Sequence, residues 1–239
     1  MDEQLTTTSA KDDGRKVFAP RDHATAFDPK RYLEDFYQTV KEDCAMNMVL
    51  FFLPSLAYRI PKGGKLLDVG TGPTITAALA FREIADDIYL SDFAIQNRQL
   101  LESWWKGERV FDWNNVISFI KAIQCCTDRN ETLELQTRQK VKGILSCDVF
   151  SGALFDASGS VPHNLSIPES FDIITTTYCL EYATQTKQEY LNAVLNVVKF
   201  LKPGGYFFQA AVMEADSYKF GDTEFRCMHL TKKKLLWRP

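Results

Sequence analysis

Residues 66–74, Leu66-Leu67-Asp68-Val69-Gly70-Thr71-Gly72-Pro73-Thr74, restrict the fold more than any other stretch of this 239-residue chain. Leu66, Leu67 and Val69 form a short apolar run, the pattern of a parallel strand covered on both faces. Gly70 and Gly72 lack a Cβ, so the backbone there can turn sharply and come close to a ligand. Pro73 has its φ preset for a first helical turn, where a missing N–H costs nothing. The stretch predicts a strand, a ligand-approaching turn and a helix over about 73–82.

The same alternation recurs downstream. Strands are expected at 88–92, 142–147 and 171–176 and from 206 onward, with helices at 94–105 and 187–201. A charged helical insertion covers 110–142. Lys202-Pro203-Gly204-Gly205 fits a type II turn, with Pro and Gly at its two central positions. Upstream, Asp28 as N-cap and Pro29 at the first helical position open a helical cap over 28–60, with Tyr32, Phe36, Tyr37 and Val40 near one face. Residues 1–27, rich in Thr, Asp and Lys, are expected to be flexible, their end folding over a site. The expectation is one α/β domain over 28–239, a mostly parallel sheet with helices on both faces.

Composition removes some functions. A net charge of −3 gives no general nucleic-acid surface. The longest apolar run, residues 48–53, is too short to span a bilayer, and the polar N-terminus carries no apolar signal segment. The six cysteines lack zinc-ligand spacing and are expected to be free thiols of a reducing compartment, which places the chain in the cytoplasm, without a metal.

In such sheets ligands bind beyond the carboxyl ends of the strands. Three features fall there: the Gly70/Gly72 turn, Asp92 ending the second strand, and Asp148 ending the third. Asp92 can accept both hydroxyls of a ribose and Asp148 the amino group of adenine. Alone, Asp92 is equally a helix N-cap and Asp148 a solvated loop acid; together they describe an adenosine site. A dinucleotide fingerprint needs a third glycine for close helix–strand packing, and Ile75 stands there. S-adenosylmethionine fits better than NAD.

At these residues the chain resembles the nicotinamide, phenylethanolamine and indolethylamine N-methyltransferases, a Rossmann-like class I methyltransferase family. The resemblance spans about residues 27–230. It is carried by Phe27-Asp28-Pro29-Lys30-Arg31-Tyr32-Leu33-Glu34-Asp35-Phe36-Tyr37, by the glycine turn, by Ser91-Asp92-Phe93 with Gln96-Asn97, by Phe111-Asp112-Trp113, by Cys147-Asp148-Val149, by Cys179-Leu180 and by Leu201-Lys202-Pro203-Gly204-Gly205. It implies methyl transfer from S-adenosylmethionine to the nitrogen of a small amine or N-heterocycle. Tyr32 and Tyr37 would close over the cofactor, Tyr32 also flanking the reacting groups. Gly70, Thr71, Gly72, Pro73 and Thr74 would contact the methionine portion, with Thr177 beside it. Asp92 and Asn97 would hold the ribose, and Asp148 and Val149 the adenine. Phe36, Ala211 and Tyr218 would face the substrate.

Two departures stand out. An ungapped count from Gly205 puts Ala211 where the nicotinamide enzymes have an acid, and Phe36 replaces a tyrosine. The family also runs about 30 residues beyond Pro239, through a closing two-strand hairpin. Its absence here is expected to leave the strand from Tyr206 as an open sheet edge through which copies could associate. A chain that binds the cofactor without productive chemistry is the competing expectation.

Overall fold

The structure is a computed structural model that describes residues 16–39, 44–156, 159–160 and 166–232. Strands β2 (Lys65–Val69), β3 (Asp87–Asp92), β4 (Val141–Ser146), β5 (Phe171–Thr177) and β6 (Leu201–Ala210) form one sheet in the order β4-β3-β2-β5-β6. All four pairings are parallel. The chain winds outward from β2 through β3 to β4, then returns to β5 on the other side of β2. The strand order therefore reverses between β2 and β5, and the carboxyl ends of those strands flank the place where such sheets bind ligands.

Side chains alternate across the sheet, so Leu66 and Leu67, both fully buried, enter different cores. Leu66 packs with α3 (Cys44–Ala57), α4 (Thr76–Phe81), α5 (Ile95–Trp105) and α6 (Asn114–Ile123). Leu67 packs with Tyr190, Ala193 and Val197 of α9 (Lys187–Val198). The region before β4 holds α6 and α7 (Asn130–Lys140). Among the described residues no helix is long and apolar enough to cross a membrane.

Several local expectations shift. The helix after the glycine turn starts at Thr76, and Pro73 is buried ahead of it. Hydroxyls and a carboxylate take the loop's polar groups instead: Thr71 Oγ1 donates to Asp68 O (3.1 Å), Thr74 Oγ1 to Thr71 O (3.0 Å), and Gly72 N–H to Asp92 (2.7 Å). The helical cap consists of α2 (Pro29–Tyr37) and α3, not one helix. Asp28 caps α2 as expected, accepting from Lys30 N and Arg31 N. Val40 lies outside the described residues. The Pro-Gly turn sits within β6 as a jump in register, Phe171 pairing with Leu201 but Ile173 with Tyr206. Gly204 there has φ +80°, as a type II turn requires.

The N-terminal segment differs most from expectation. From residue 16 on it is built structure. β1 (Lys16–Phe18) pairs in parallel with β8 (Thr223–Arg226), which forms an antiparallel hairpin with β7 (Ser217–Phe220). A 3₁₀ turn (Pro20–Asp22) and α1 (His23–Ala26) follow β1. The order comes from aromatic burial: Phe27, Phe220 and Phe225 form a third core, with Phe18, Tyr32, Phe36 and Tyr218 against it. Residues 1–15 and 233–239 lie outside the described set. Among the described residues β6 pairs with β5 alone, and the β7–β8 hairpin joins β1 instead.

Candidate active site

The carboxyl ends of β2, β3 and β5 open into one cavity of ≈ 270 Å³. Its floor is the glycine turn. Gly70 and Gly72 have φ of +67° and +61°. A Cβ on Gly70 would strike the Cys179 side chain at 2.1 Å, whereas one on Gly72 would meet no atom within 4 Å. Asp92 ties the turn to α5. Its Oδ2 accepts from Gly72 N (2.7 Å) and its Oδ1 from Ala94 N (2.9 Å) and Asn97 Nδ2 (3.1 Å). Burial pushes its pKa up, opposed by Asn97 and the two backbone N–H groups. Asp68 lies behind, held by Thr175 Oγ1 at 2.7 Å, with a pKa that burial raises to about 6. Asp148 accepts from Phe150 N (2.9 Å) and Arg21 (2.8 Å). The Arg21 guanidinium lies 4.4 Å from the Phe150 ring centre and 5.3 Å from that of Phe93.

The opposite wall is aromatic. Tyr32 on α2 stands 4.9 Å from Phe36, 5.1 Å from Phe27 and 6.0 Å from Tyr37, ring centre to ring centre. Tyr218 on β7 lies 4.3 Å from Tyr182 of α8 (Leu180–Ala183), ring centre to ring centre, with the planes tilted by 36°. Burial raises the Tyr37, Tyr182 and Tyr218 hydroxyls above the usual tyrosine range, so all three stay protonated. Tyr178 sits between the two walls in a left-handed conformation (φ +50°), and its hydroxyl donates to Ala45 O (3.1 Å). A non-glycine residue held there is strained, and such strain clusters at functional sites.

The geometry can be set beside known proteins. The NNMT/PNMT/TEMT family matches residues 15–237. The nicotinamide N-methyltransferase of Caenorhabditis elegans is 33% identical over 241 residues, 97% of this chain and 88% of that protein. The human nicotinamide N-methyltransferase is 30% identical, covering 87% and 78%. The indolethylamine N-methyltransferase of Oryctolagus cuniculus is 30% identical, covering 94% and 81%. The chain belongs to the NNMT/PNMT/TEMT family. It is an S-adenosylmethionine-dependent N-methyltransferase of the Rossmann-like class.

The residues of this family member fit that cofactor. Asn97 Oδ1 is buried with no hydrogen-bond partner, so it needs a donor such as a ribose hydroxyl. Of the residues expected at the site, Tyr32, Phe36, Tyr37, Gly70, Thr71, Gly72, Thr74, Asp92, Asn97, Asp148, Val149, Thr177 and Tyr218 all line the cavity. Pro73 does not; the open loop turns it into the protein.

Ala211 does not line the cavity either. It packs into the core shared with α9, and Val212 faces the cavity. Successive side chains of an extended segment point to opposite sides, so a one-residue difference in path reverses the face. Glu214 and Asp216 point outward to His229, with side chains 66% and 84% exposed. The acid buried nearest this segment is Glu181. Its Oε1 accepts from Val212 N (2.9 Å), its Oε2 has no partner, and burial raises its pKa to about 7.

Sequence alone did not single out Arg21, His23, Phe93, Tyr178, Tyr182, Val212 or Lys219, which also line the cavity. Phe93 directly follows Asp92 and was within reach of the strand-end rule. Arg21, His23 and Lys219 depend on the pairing of β1 with β8, which joins distant parts of the chain and leaves no local pattern.

Proposed function

We propose that this chain methylates the nitrogen of a small amine or N-heterocycle, with the acceptor held between Tyr32 and Tyr218. The observation that carries this is the meeting, in one cavity, of the glycine turn with Asp92 on one side and an aromatic wall on the other. Asp92 and Asn97 hold the ribose, and Asp148 and Val149 the adenine. Gly70, Thr71, Gly72, Thr74, Tyr37 and Thr177 surround the methionine portion. Tyr32 closes over the reacting groups. Phe36, Tyr178, Tyr182, Val212 and Tyr218 shape the acceptor end. Ala211 is not assigned a role.

The bound cofactor supplies an activated methyl group on sulfur. The protein brings the acceptor nitrogen in line with it, at about 3–3.5 Å, and excludes water. A wall of tyrosine and phenylalanine faces suits the task, because aromatic faces attract the cation that N-methylation leaves. Asp148 exchanges its exposed contact with Arg21 for the adenine amino group at little cost, since such pairs contribute about 0–1 kcal/mol.

Among the described side chains Cys125, Cys126, Cys147, Cys179 and Cys227 are free thiols, which supports residence in the cytoplasm. Among the described residues β6 pairs with β5 alone, which supports association between copies.

The test is transfer of labelled methyl from S-adenosylmethionine into a panel of nicotinamide, phenylethanolamine and an indolethylamine. Label on the acceptor nitrogen is expected. Tight binding of S-adenosylhomocysteine with no label moving to any acceptor would leave a binding protein.

A further inference from the structure

Among the described residues His23 is the one imidazole in the cavity lining. Its ring is fixed on all sides. Nδ1 lies 2.6 Å from Pro20 O and Nε2 lies 2.7 Å from the Tyr218 hydroxyl. The ring stacks on Phe225 at 4.1 Å and lies 5.9 Å from Tyr218 and Phe27. The backbone is pinned as well: Gln96 Nε2 donates to His23 O (2.9 Å) and Phe27 O (3.1 Å).

A carbonyl oxygen only accepts, so Nδ1 carries the proton. In the neutral ring Nε2 then offers a lone pair, and the Tyr218 hydroxyl must donate to it. That leaves the lone pairs of the Tyr218 oxygen for the cavity. We propose that Tyr218 and His23 form a proton relay that takes the proton from an ammonium acceptor, so that protonated alkyl amines are productive substrates. This rests on the N-methyl transfer proposed above.

The relay balances. An ammonium N–H bond breaks and its proton passes to the Tyr218 oxygen. The Tyr218 proton passes to His23 Nε2, giving an imidazolium whose Nδ1–H stays on Pro20 O. The freed nitrogen lone pair takes the methyl group as the carbon–sulfur bond breaks. The imidazolium later returns its proton to water.

The groups facing the pair keep it in the required state. Asp22, on the same segment, raises the His23 pKa, as does the Pro20 carbonyl, but burial outweighs both and holds it below 6.5. Tyr32 on α2, Tyr182 on α8, Asp92 at the end of β3 and Cys227 after β8 all raise Tyr218, and burial raises it most. Of the nearby cations, Lys219 pairs with Glu224 at 3.2 Å, and Arg21 pairs with Asp148 until the adenine takes that carboxylate, after which its charge disfavours an imidazolium further. The ring is therefore neutral and the phenol intact at pH 7.5.

The test uses the full chain. Imidazole ¹⁵N resonances should show His23 as the neutral Nδ1–H tautomer at pH 7.5; an Nε2–H tautomer or an imidazolium there overturns the relay, whatever the activity. The pH profile of kcat/KM for an alkyl amine should be flat from about pH 7 to about 9, because an alkyl ammonium keeps its proton to about pH 10. His23→Asn keeps a donor toward Pro20 O and loses Nε2, and Tyr218→Phe keeps the stacking and loses the hydroxyl. Both should convert the plateau into a rise of about tenfold per pH unit, since only the neutral amine can then react. For nicotinamide, whose ring nitrogen has no proton to lose, the profile should stay flat in both variants. A plateau kept by both folded variants, or a tenfold rise already present in the parent protein, overturns the relay. So does turnover of pyridine nitrogens with none of the alkyl amines, which leaves N-methyl transfer itself standing. Absence of turnover with every acceptor defeats the proposed function instead, and the tautomer still decides the pairing.

Discussion

The two halves of the cavity are built in different ways. The cofactor half is made of strand ends. Gly70, Asp92, Asp148 and Thr177 each sit where a buried parallel strand stops, and one carboxylate, Asp92, ties the glycine turn to α5. The half to which we assign the acceptor is a lid. Residues from β1, α1, α2, β7 and β8 meet in an aromatic cluster around Phe225, held by pairings between distant parts of the chain. The first half can be specified locally, turn by turn. The second exists only when the whole chain has come together, and so it can vary, and choose an acceptor, without disturbing the first.

Substitutions should separate the halves. The largest effect is expected for Asp92→Ala. Hydrogen bonds to a charged acceptor contribute about 1.5–3 kcal/mol each, and two ribose hydroxyls are at stake, so affinity for S-adenosylhomocysteine should fall about a hundredfold or more by calorimetry. Unchanged affinity would remove Asp92 from the cofactor half.

Glu181 lies where the halves meet. Its side chain accepts from Val212 N after β6, and its carbonyl from Met228 N after β8. Its folded pKa of about 7 stands above the ordinary 4.5, so the folded chain holds this proton to higher pH than the unfolded chain. Stability is therefore favoured below about 4.5, declines as pH rises to about 7, and is lower by about 3 kcal/mol above that, on this group's account. Glu181→Gln should flatten that part of the curve in denaturant titrations between pH 5 and 8. Asp68, shifted in the same direction, cancels in the difference between the two proteins. Identical slopes would mean that water reaches the carboxylate.

Tyr32→Ala should lower kcat/KM about ten- to a hundredfold through loss of closure, with a smaller change in the unfolding midpoint. A variant that unfolds readily while its folded fraction keeps full activity would make Tyr32 a packing residue. The smallest effect is expected for Arg21→Ala. The Arg21 side chain is 54% exposed, and exposed pairs contribute little, so affinity for S-adenosylhomocysteine should change less than about threefold. A larger change would mean that the lid reaches into the cofactor half.

What could be read from the sequence follows the same division. Apolar runs ending in Gly70, Asp92 and Asp148 are local signals, and they marked the sheet, its order of helices and the strand ends that line the cavity. The helix start was missed because the Thr71 and Thr74 hydroxyls and Asp92 hold residues 71–75 open, against the preference of Pro73 for a first helical turn. The lid was legible only in part: the end of residues 1–27 does fold over the cavity as expected, but residues 16–27 look polar and loose until β8 pairs with them and Phe27 is buried. Ala211 was expected to face the cavity, but it packs into the core shared with α9 and Val212 lines the cavity instead. The partners of Tyr32 were hidden as well, since Phe27 is nearby in sequence but Phe220 is not.

The claim that the acceptor half is a separately assembled lid is tested most directly by Phe225→Ala, scored as the split between binding and turnover. Phe225 is fully buried and stacks on Phe18, His23, Tyr218 and Phe220. Truncating a buried phenylalanine costs about 3–5 kcal/mol of local packing. In Phe225→Ala, kcat/KM for the acceptor should fall about thirtyfold or more while the Kd of S-adenosylhomocysteine moves less than about fivefold. A Kd that rises in proportion to the loss of kcat/KM would contradict it, and would make the cavity one cooperative unit.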